Sequence, residues 1–149
     1  MSLDNLVKTG QLKPHETTVG EIRRLLSAVQ RNLQDARVVG LSDETRFDTS
    51  YKAIMQCALV ALMASGYRPA TNAPGHHQTM IASLRLTLGA SQPDWLVLDA
   101  LRRKRNLNDY TGDPIDAASV HECIERAEAL LVQTRQWLEA RHARLLNDP

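Results

Sequence analysis

Cysteine, aromatic side chains, excess charge of one sign and long apolar runs are all scarce in this sequence of 149 residues. The two cysteines, Cys57 and Cys123, lie far apart and outside any C-x-x-C pair, so they predict small core side chains rather than a disulfide or a metal pair. Aromatic residues make up 4%, which argues against a base-stacking RNA-binding sheet. A net charge of +1 provides no global basic field, so an anionic partner must bind a local patch.

Apolar runs of about 18 residues are also missing, which predicts no membrane-spanning helix. The first residues lack the basic flank and apolar stretch of a secretory signal, so the expected location is the cytoplasm. No P-loop, G-x-G-x-x-G, nucleophile elbow or H-E-x-x-H motif occurs, and therefore no cofactor or metal is expected. What remains is 43% apolar and 23% charged residues, the composition of one ordinary globular domain.

Apolar residues at helical spacing predict five helices, and no segment shows sustained alternation. The helices are expected to begin, in chain order, at the capping box Thr18–Glu21, at Ser42, near Gly75, at Ser91 and at Asp116. For the last helix, a second capping box at Ser119–Glu122 is an alternative start. The third helix is short, about residues 75–88.

These helices predict an all-α fold, an up-and-down antiparallel bundle of four main helices plus a short one. Short connections between amphipathic helices favour antiparallel neighbours, which is the reason for this topology. The bundle is expected to form a single domain over residues 18–146, preceded by a loose N-terminal arm over residues 1–17. Trp95 and Trp137 lie on apolar stripes and are expected in the core or at a dimer interface.

The most informative segment is Leu101–Tyr110, which contains four successive cations. Helical spacing places four polar side chains of this segment on one face, namely Arg102, Arg105, Asn106 and Asp109. One guanidinium group can donate two hydrogen bonds to the oxygens of a phosphate, so this face is a candidate anion site. The alternative is a solvated helix end, in which the cations oppose the helix dipole and Arg105 pairs with Asp109.

Arg105, Asn106 and Tyr110 resemble the signature of the HEPN superfamily of small helical bundles. That signature is an arginine, a polar residue that is often asparagine, a few variable positions and then a histidine. Tyr110 stands where the histidine would be, and Arg105 followed by Asp109-Tyr110 is more similar to a branch that carries Asp-Tyr.

The resemblance extends over about residues 42–140. Arg46–Ala53 resembles the second helix of the family, His76-His77 resembles the start of the next helix, and Ile115–Ala127 resembles the final helix. Adjacent histidines on a helix point about 100° apart, so His76 and His77 do not form a metal pair and are expected to cap the helix or lie on the surface. The resemblance implies a second role for them, lining the cleft that contains the motif.

The resemblance implies a homodimer that binds RNA or a nucleotide, as the toxin-like half of a toxin–antitoxin module with a nucleotidyltransferase antitoxin. Arg105 would bind phosphate, with Asn106, Asp109 and Tyr110 orienting it or the substrate. The implied substrate-binding residues are Arg102, Arg103, Arg105, Asn106, Asp109, Tyr110, His76 and His77, of which Arg105 and Tyr110 are the catalytic candidates.

Catalytic members of the family cleave RNA without metal, using the arginine and the histidine. A phenol titrates near pH 10, so Tyr110 is a poor replacement for a base that must act near neutral pH. Binding without cleavage is therefore the preferred function. Two alternatives are a metal-independent endoribonuclease that uses Arg105 with Tyr110 or with His76 or His77, and a partner-binding structural bundle with an internal Arg105–Asp109 pair.

Overall fold

A computed structural model describes residues 1–147 and shows the predicted all-α helical bundle. Its helices are α1 (Leu3–Lys8), α2 (Val19–Ala36), α3 (Asp43–Ala64), α4 (His76–Thr87), α5 (Gln92–Thr111) and α6 (Ala117–Arg141), followed by a 3-10 turn (Ala143–Leu145). Two short strands, β1 (Leu12–Pro14) and β2 (Tyr67–Pro69), pair antiparallel. No helix in this part of the chain combines the length and hydropathy needed to cross a membrane.

Helix α3 is the centre of the molecule and packs against α2, α4, α5 and α6. Four of its 22 residues are Ala, and Ser50 and Cys57 are also small and buried, so the neighbouring helices can approach closely. The largest fully buried side chains on α3 are Phe47, Tyr51, Ile54, Val60 and Leu62. Cys57 of α3 and Cys123 of α6 are both buried with free thiols, as the sequence predicts.

The helices begin where the capping residues predict. Thr18, Ser42 and Ser91 each accept the backbone N–H three residues on, at 3.1, 3.2 and 3.3 Å. Asp116 is the N-cap position of α6, although its side chain does not bond the helix amides. The alternative start at Ser119–Glu122 is wrong, because those residues lie inside the first turns of α6.

The N-terminal segment is not the loose arm expected for residues 1–17. Ser2 caps α1, and the following helix and strand bury Leu6 and Leu12 in the main apolar core. Strand β1 pairs with β2 in a register that puts Leu12 opposite Pro69. Because Leu6 and Leu12 are buried in that core, the domain includes the N-terminal helix. The sequence did not predict the strands, since three residues are too few to show alternation.

Candidate functional site

The basic run Arg102–Arg105 of α5 does not form one patch, because its members bind different acids. The Arg102 Nε donates to Asp99 Oδ1 at 2.9 Å, and Arg103 Nη2 lies 3.0 Å from Asp99 Oδ2. The Asp99 side chain is 4% exposed, so its charge is desolvated and requires pairing, chiefly with the less exposed Arg102. These two arginines therefore satisfy a buried carboxylate of their own helix.

Lys104 points away from the other cations, toward the start of α6. Its Nζ donates to Asp116 Oδ1 at 3.0 Å and to Ser119 Oγ at 2.7 Å. The hydrogen bonds from Ser119 and then from Lys104 lower the pKa of Asp116 to about 2. Lys104 thus fixes the α5–α6 connection.

Arg105 is the member of the run that is only loosely paired. Its guanidinium lies over the ring of Tyr51, 5.1 Å from the ring centroid. Arg105 Nε is 3.7 Å from Asp48 Oδ1, and Nη2 is 3.9 Å from Asp109 Oδ2. Both distances exceed hydrogen-bond length, and no hydrogen bond to this guanidinium occurs among residues 1–147. The side chain is 31% exposed and its N–H donors form no hydrogen bond within the described residues, so the guanidinium has bonding capacity left for a ligand.

Tyr51 joins Arg105 to the histidines at the start of α4. Its hydroxyl lies 3.3 Å from His77 Nδ1. The His76 ring meets the His77 ring edge-on, with 4.6 Å between centroids. Helix α3 therefore supplies the ring that contacts both α5 and α4. We call the linked residues the Arg105 cluster: Arg105, Tyr51, His77, Asp48 and Asp109.

The cluster shifts the titration of its histidine and its phenol. Desolvation, then the positive charges of His76, Arg105 and Arg102, lower the pKa of His77. Burial raises the pKa of Tyr51 to about 12, against the opposing effect of Arg105. At neutral pH the phenol is therefore protonated and the neutral form of His77 is favoured.

Asp48 is a carboxylate of the cluster whose pKa depends in part on Arg105. Desolvation raises its pKa, Arg105 lowers it, and the negative charges of Asp109 and Glu44 raise it again. The site thus holds a half-buried cation between two acids that repel each other. An incoming anion would compete with both acids for the guanidinium.

Of the remaining predicted residues, Tyr110 and Asn106 form neither a hydrogen bond nor an ion pair with Arg105 in the part of the chain that the structure describes. The Tyr110 side chain lies 87% exposed at the end of α5. Asn106 is half-buried and forms no side-chain hydrogen bond with other residues in the described range. Arg103 is 71% exposed and is held by Asp99 outside the cluster. The structure thus places Arg105 near Asp109, joins Arg105 to His77 only through Tyr51, and keeps Tyr110 in solvent.

Sequence reasoning did not select Tyr51, Asp48 or Asp99 as site residues. A signal was present, since Asp48 and Tyr51 are three residues apart on α3 and so share a helix face. Tyr51 also brings a polar hydroxyl to an otherwise apolar stripe, and such a group needs a partner when buried.

Groups of three or more His, Cys, Asp or Glu side chains arranged to hold a metal ion do not occur in residues 1–147.

The chain matches no protein-family model and no curated protein. The chemistry of the Arg105 cluster therefore rests on its geometry and on the motif resemblance.

Proposed function

We propose that this protein is a HEPN-like domain that binds a phosphate group of RNA or of a nucleotide at the Arg105 cluster. The observation that carries the proposal is the half-exposed Arg105 guanidinium, whose nearest carboxylates lie at 3.7 and 3.9 Å. Charge-assisted bonds to a phosphate are shorter and stronger than these contacts, so a ligand has free energy to gain.

The surroundings of Arg105 support a binding role. Arg102 adds positive potential at His77, since Arg105 and Arg102 each lower the pKa of that ring. Tyr51 contacts both groups, since its ring packs against the Arg105 guanidinium and its hydroxyl meets the His77 ring. As further parts of the same proposal, the domain is the toxin-like half of a toxin–antitoxin module, acts as a homodimer in the cytoplasm, and is paired with a nucleotidyltransferase antitoxin.

Tyr110 has a different place in this proposal from Arg105. Its exposed phenol at the end of α5 is 87% accessible and could contact a base or a ribose of a ligand seated on the cluster. Asn106 and His76 lie at the edge of the cluster in the same proposal, whereas Arg103 is held by Asp99 and has no part in it.

Binding is tested with a fluorescently labelled single-stranded RNA and, separately, with adenosine monophosphate, both in a chelator. We expect saturable binding of RNA, with an affinity that falls as salt rises by a slope of roughly −0.7 for each phosphate neutralised. Binding of the mononucleotide alone would select the nucleotide as ligand. Absence of binding to both would contradict the proposal.

Cleavage of RNA is the second candidate function, with His77 rather than Tyr110 as the base, since His77 contacts Tyr51 under Arg105 and Tyr110 lies in solvent. This function requires an imidazole nitrogen that is free to accept a proton, with the Arg105 guanidinium as the cation for the phosphorane. Denaturing gels of the same RNA samples distinguish the two functions. Products that form in chelator and disappear in the His77→Gln variant would establish the enzyme, whereas intact RNA with retained binding establishes the binding module.

The RNA affinity is expected to rise as the pH falls from 8 to 5. Phosphodiesters do not titrate in this interval, but His77 gains a positive charge as the pH passes below its lowered pKa. Bound phosphate favours that charged form, so protonation and binding reinforce each other. Fluorescence anisotropy at each pH measures the effect.

The His77→Gln variant is the control for this pH dependence. It retains a polar side chain without a titrating ring, so its affinity should change less between pH 8 and pH 5 than that of the unmodified protein. An equal pH dependence in both proteins would contradict the role of His77.

A further inference from the structure

We infer that Tyr51 is a positioning residue that holds His77 in the tautomer with the proton on Nε2, so that the ring donates a hydrogen bond to the bound phosphate. This inference rests on the proposed function, because it names how one side of that site is oriented. Tyr51 is buried at 2% exposure and is not expected to touch the ligand itself.

The Tyr51 hydroxyl acts as a hydrogen-bond donor to His77. The phenol remains protonated near neutral pH, since burial raises its pKa to about 12. A buried O–H needs an acceptor, because an unpaired one is strongly unfavourable. His77 Nδ1, at 3.3 Å, is the acceptor that the described residues offer to this hydroxyl.

This hydrogen bond determines which ring nitrogen of His77 carries the proton. A neutral imidazole carries one N–H, and the nitrogen that accepts a hydrogen bond is the one without the proton. If Tyr51 donates to Nδ1, then the proton lies on Nε2, on the opposite side of the ring. Desolvation, then the charges of His76, Arg105 and Arg102, disfavour the doubly protonated ring, and the Tyr51 hydroxyl at Nδ1 selects the tautomer of the neutral ring.

The position of the proton on His77 favours phosphate binding over RNA cleavage. An Nε2–H group donates to a phosphate oxygen but cannot accept a proton from a ribose hydroxyl. Nδ1 is engaged by Tyr51 and is equally unavailable as a base. The Tyr51 hydroxyl therefore makes His77 a phosphate ligand rather than a general base.

The same residue also orients the cation of the site. The Tyr51 ring lies under the Arg105 guanidinium at 5.1 Å, a geometry that is favourable through the negative face of the ring. Phenylalanine retains that face and loses only the hydroxyl. Tyr51→Phe thus separates the effect on His77 from the effect on Arg105.

The experiment is nitrogen NMR of the histidine rings in the intact protein, with and without Tyr51→Phe. In the unmodified protein above the pKa of His77, we expect the Nδ1 signal in the unprotonated range and the Nε2 signal in the protonated range. In Tyr51→Phe the ratio of the Nε2–H to the Nδ1–H form should fall roughly two- to tenfold, the change that one neutral hydrogen bond produces. The pKa of His77 should rise, since its neutral form loses a bond.

Tyr67→Phe is the matched control, because it removes a hydroxyl that bonds Asp4, outside the Arg105 cluster. It should change neither the tautomer ratio nor the pKa of His77. A dominant Nδ1–H form in the unmodified protein, or an unchanged ratio and pKa in Tyr51→Phe, would overturn the inference.

The RNA titration of the unmodified protein keeps this inference separate from the proposed function. A tautomer shift in Tyr51→Phe without any RNA binding supports the orientation of His77 and contradicts the phosphate site. RNA binding with no tautomer shift supports the phosphate site and contradicts the role of Tyr51.

Discussion

Replacing Arg105 by alanine is expected to lower the affinity for single-stranded RNA by roughly 10- to 100-fold, the range for loss of a charge-assisted hydrogen bond. The side chain is half-exposed and its carboxylate partners are 3.7 and 3.9 Å away, so most of its bonding capacity is available to a ligand. For the same reason the folded state should lose little, less than about 1 kcal/mol. Anisotropy and thermal unfolding measure the two effects.

Arg103→Ala is the matched control on the same helix. Arg103 is 71% exposed and pairs with Asp99, which keeps Arg102 as a partner when Arg103 is removed. We expect its RNA affinity to change by less than about threefold, the effect of one distant surface charge. If Arg105→Ala leaves the RNA affinity unchanged while the melting temperature falls, then the Arg105–Asp109 pair is structural and the partner-binding alternative is favoured.

Replacing Phe47 by alanine is expected to destabilise the fold by about 3–5 kcal/mol, the range for deletion of a buried aromatic ring. Phe47 is fully buried on α3, and its backbone carbonyl accepts from the side chains of Ser50 and Cys123. For a chain of this length that loss corresponds to a fall in Tm of roughly 6–20 °C. Chemical denaturation and calorimetry measure it.

Val39→Ala is the control for this stability measurement. Val39 is 83% exposed in the α2–α3 connection, so its truncation should change the free energy of unfolding by less than about 0.5 kcal/mol. A loss below about 1 kcal/mol in Phe47→Ala would contradict the position of α3 at the centre of the core.

Local patterns in the sequence were sufficient to predict five of the six α-helices found in residues 1–147. Ser42, Ser91 and Thr18 start helices because each side chain oxygen accepts an orphan backbone amide, a relation that depends only on residues a few positions apart. The N-terminal helix and strand were missed for the opposite reason. Burial of Leu12 depends on pairing with Pro69, and a contact across that separation leaves no local pattern.

The candidate site was predictable only in part, because pairing decides which cations of a run are available. Arg102, Arg103, Lys104 and Arg105 are equivalent in sequence, yet the first two bind Asp99 and the third binds Asp116. Spacing on α5 predicted the approach of Arg105 to Asp109. It could not predict Tyr51, because that contact depends on how α3 packs against α5.

The most direct test of the phosphate site is an NMR titration of the arginine Nε–H signals of the unmodified protein with a short single-stranded RNA. We expect the Arg105 signal to shift and saturate together with the ring signals of His77. Arg37 pairs with Glu128 on another face of the bundle, and its signal should not move. Saturable shifts confined to Arg37 or Arg103, or no shift at Arg105 while RNA is bound, would contradict the account.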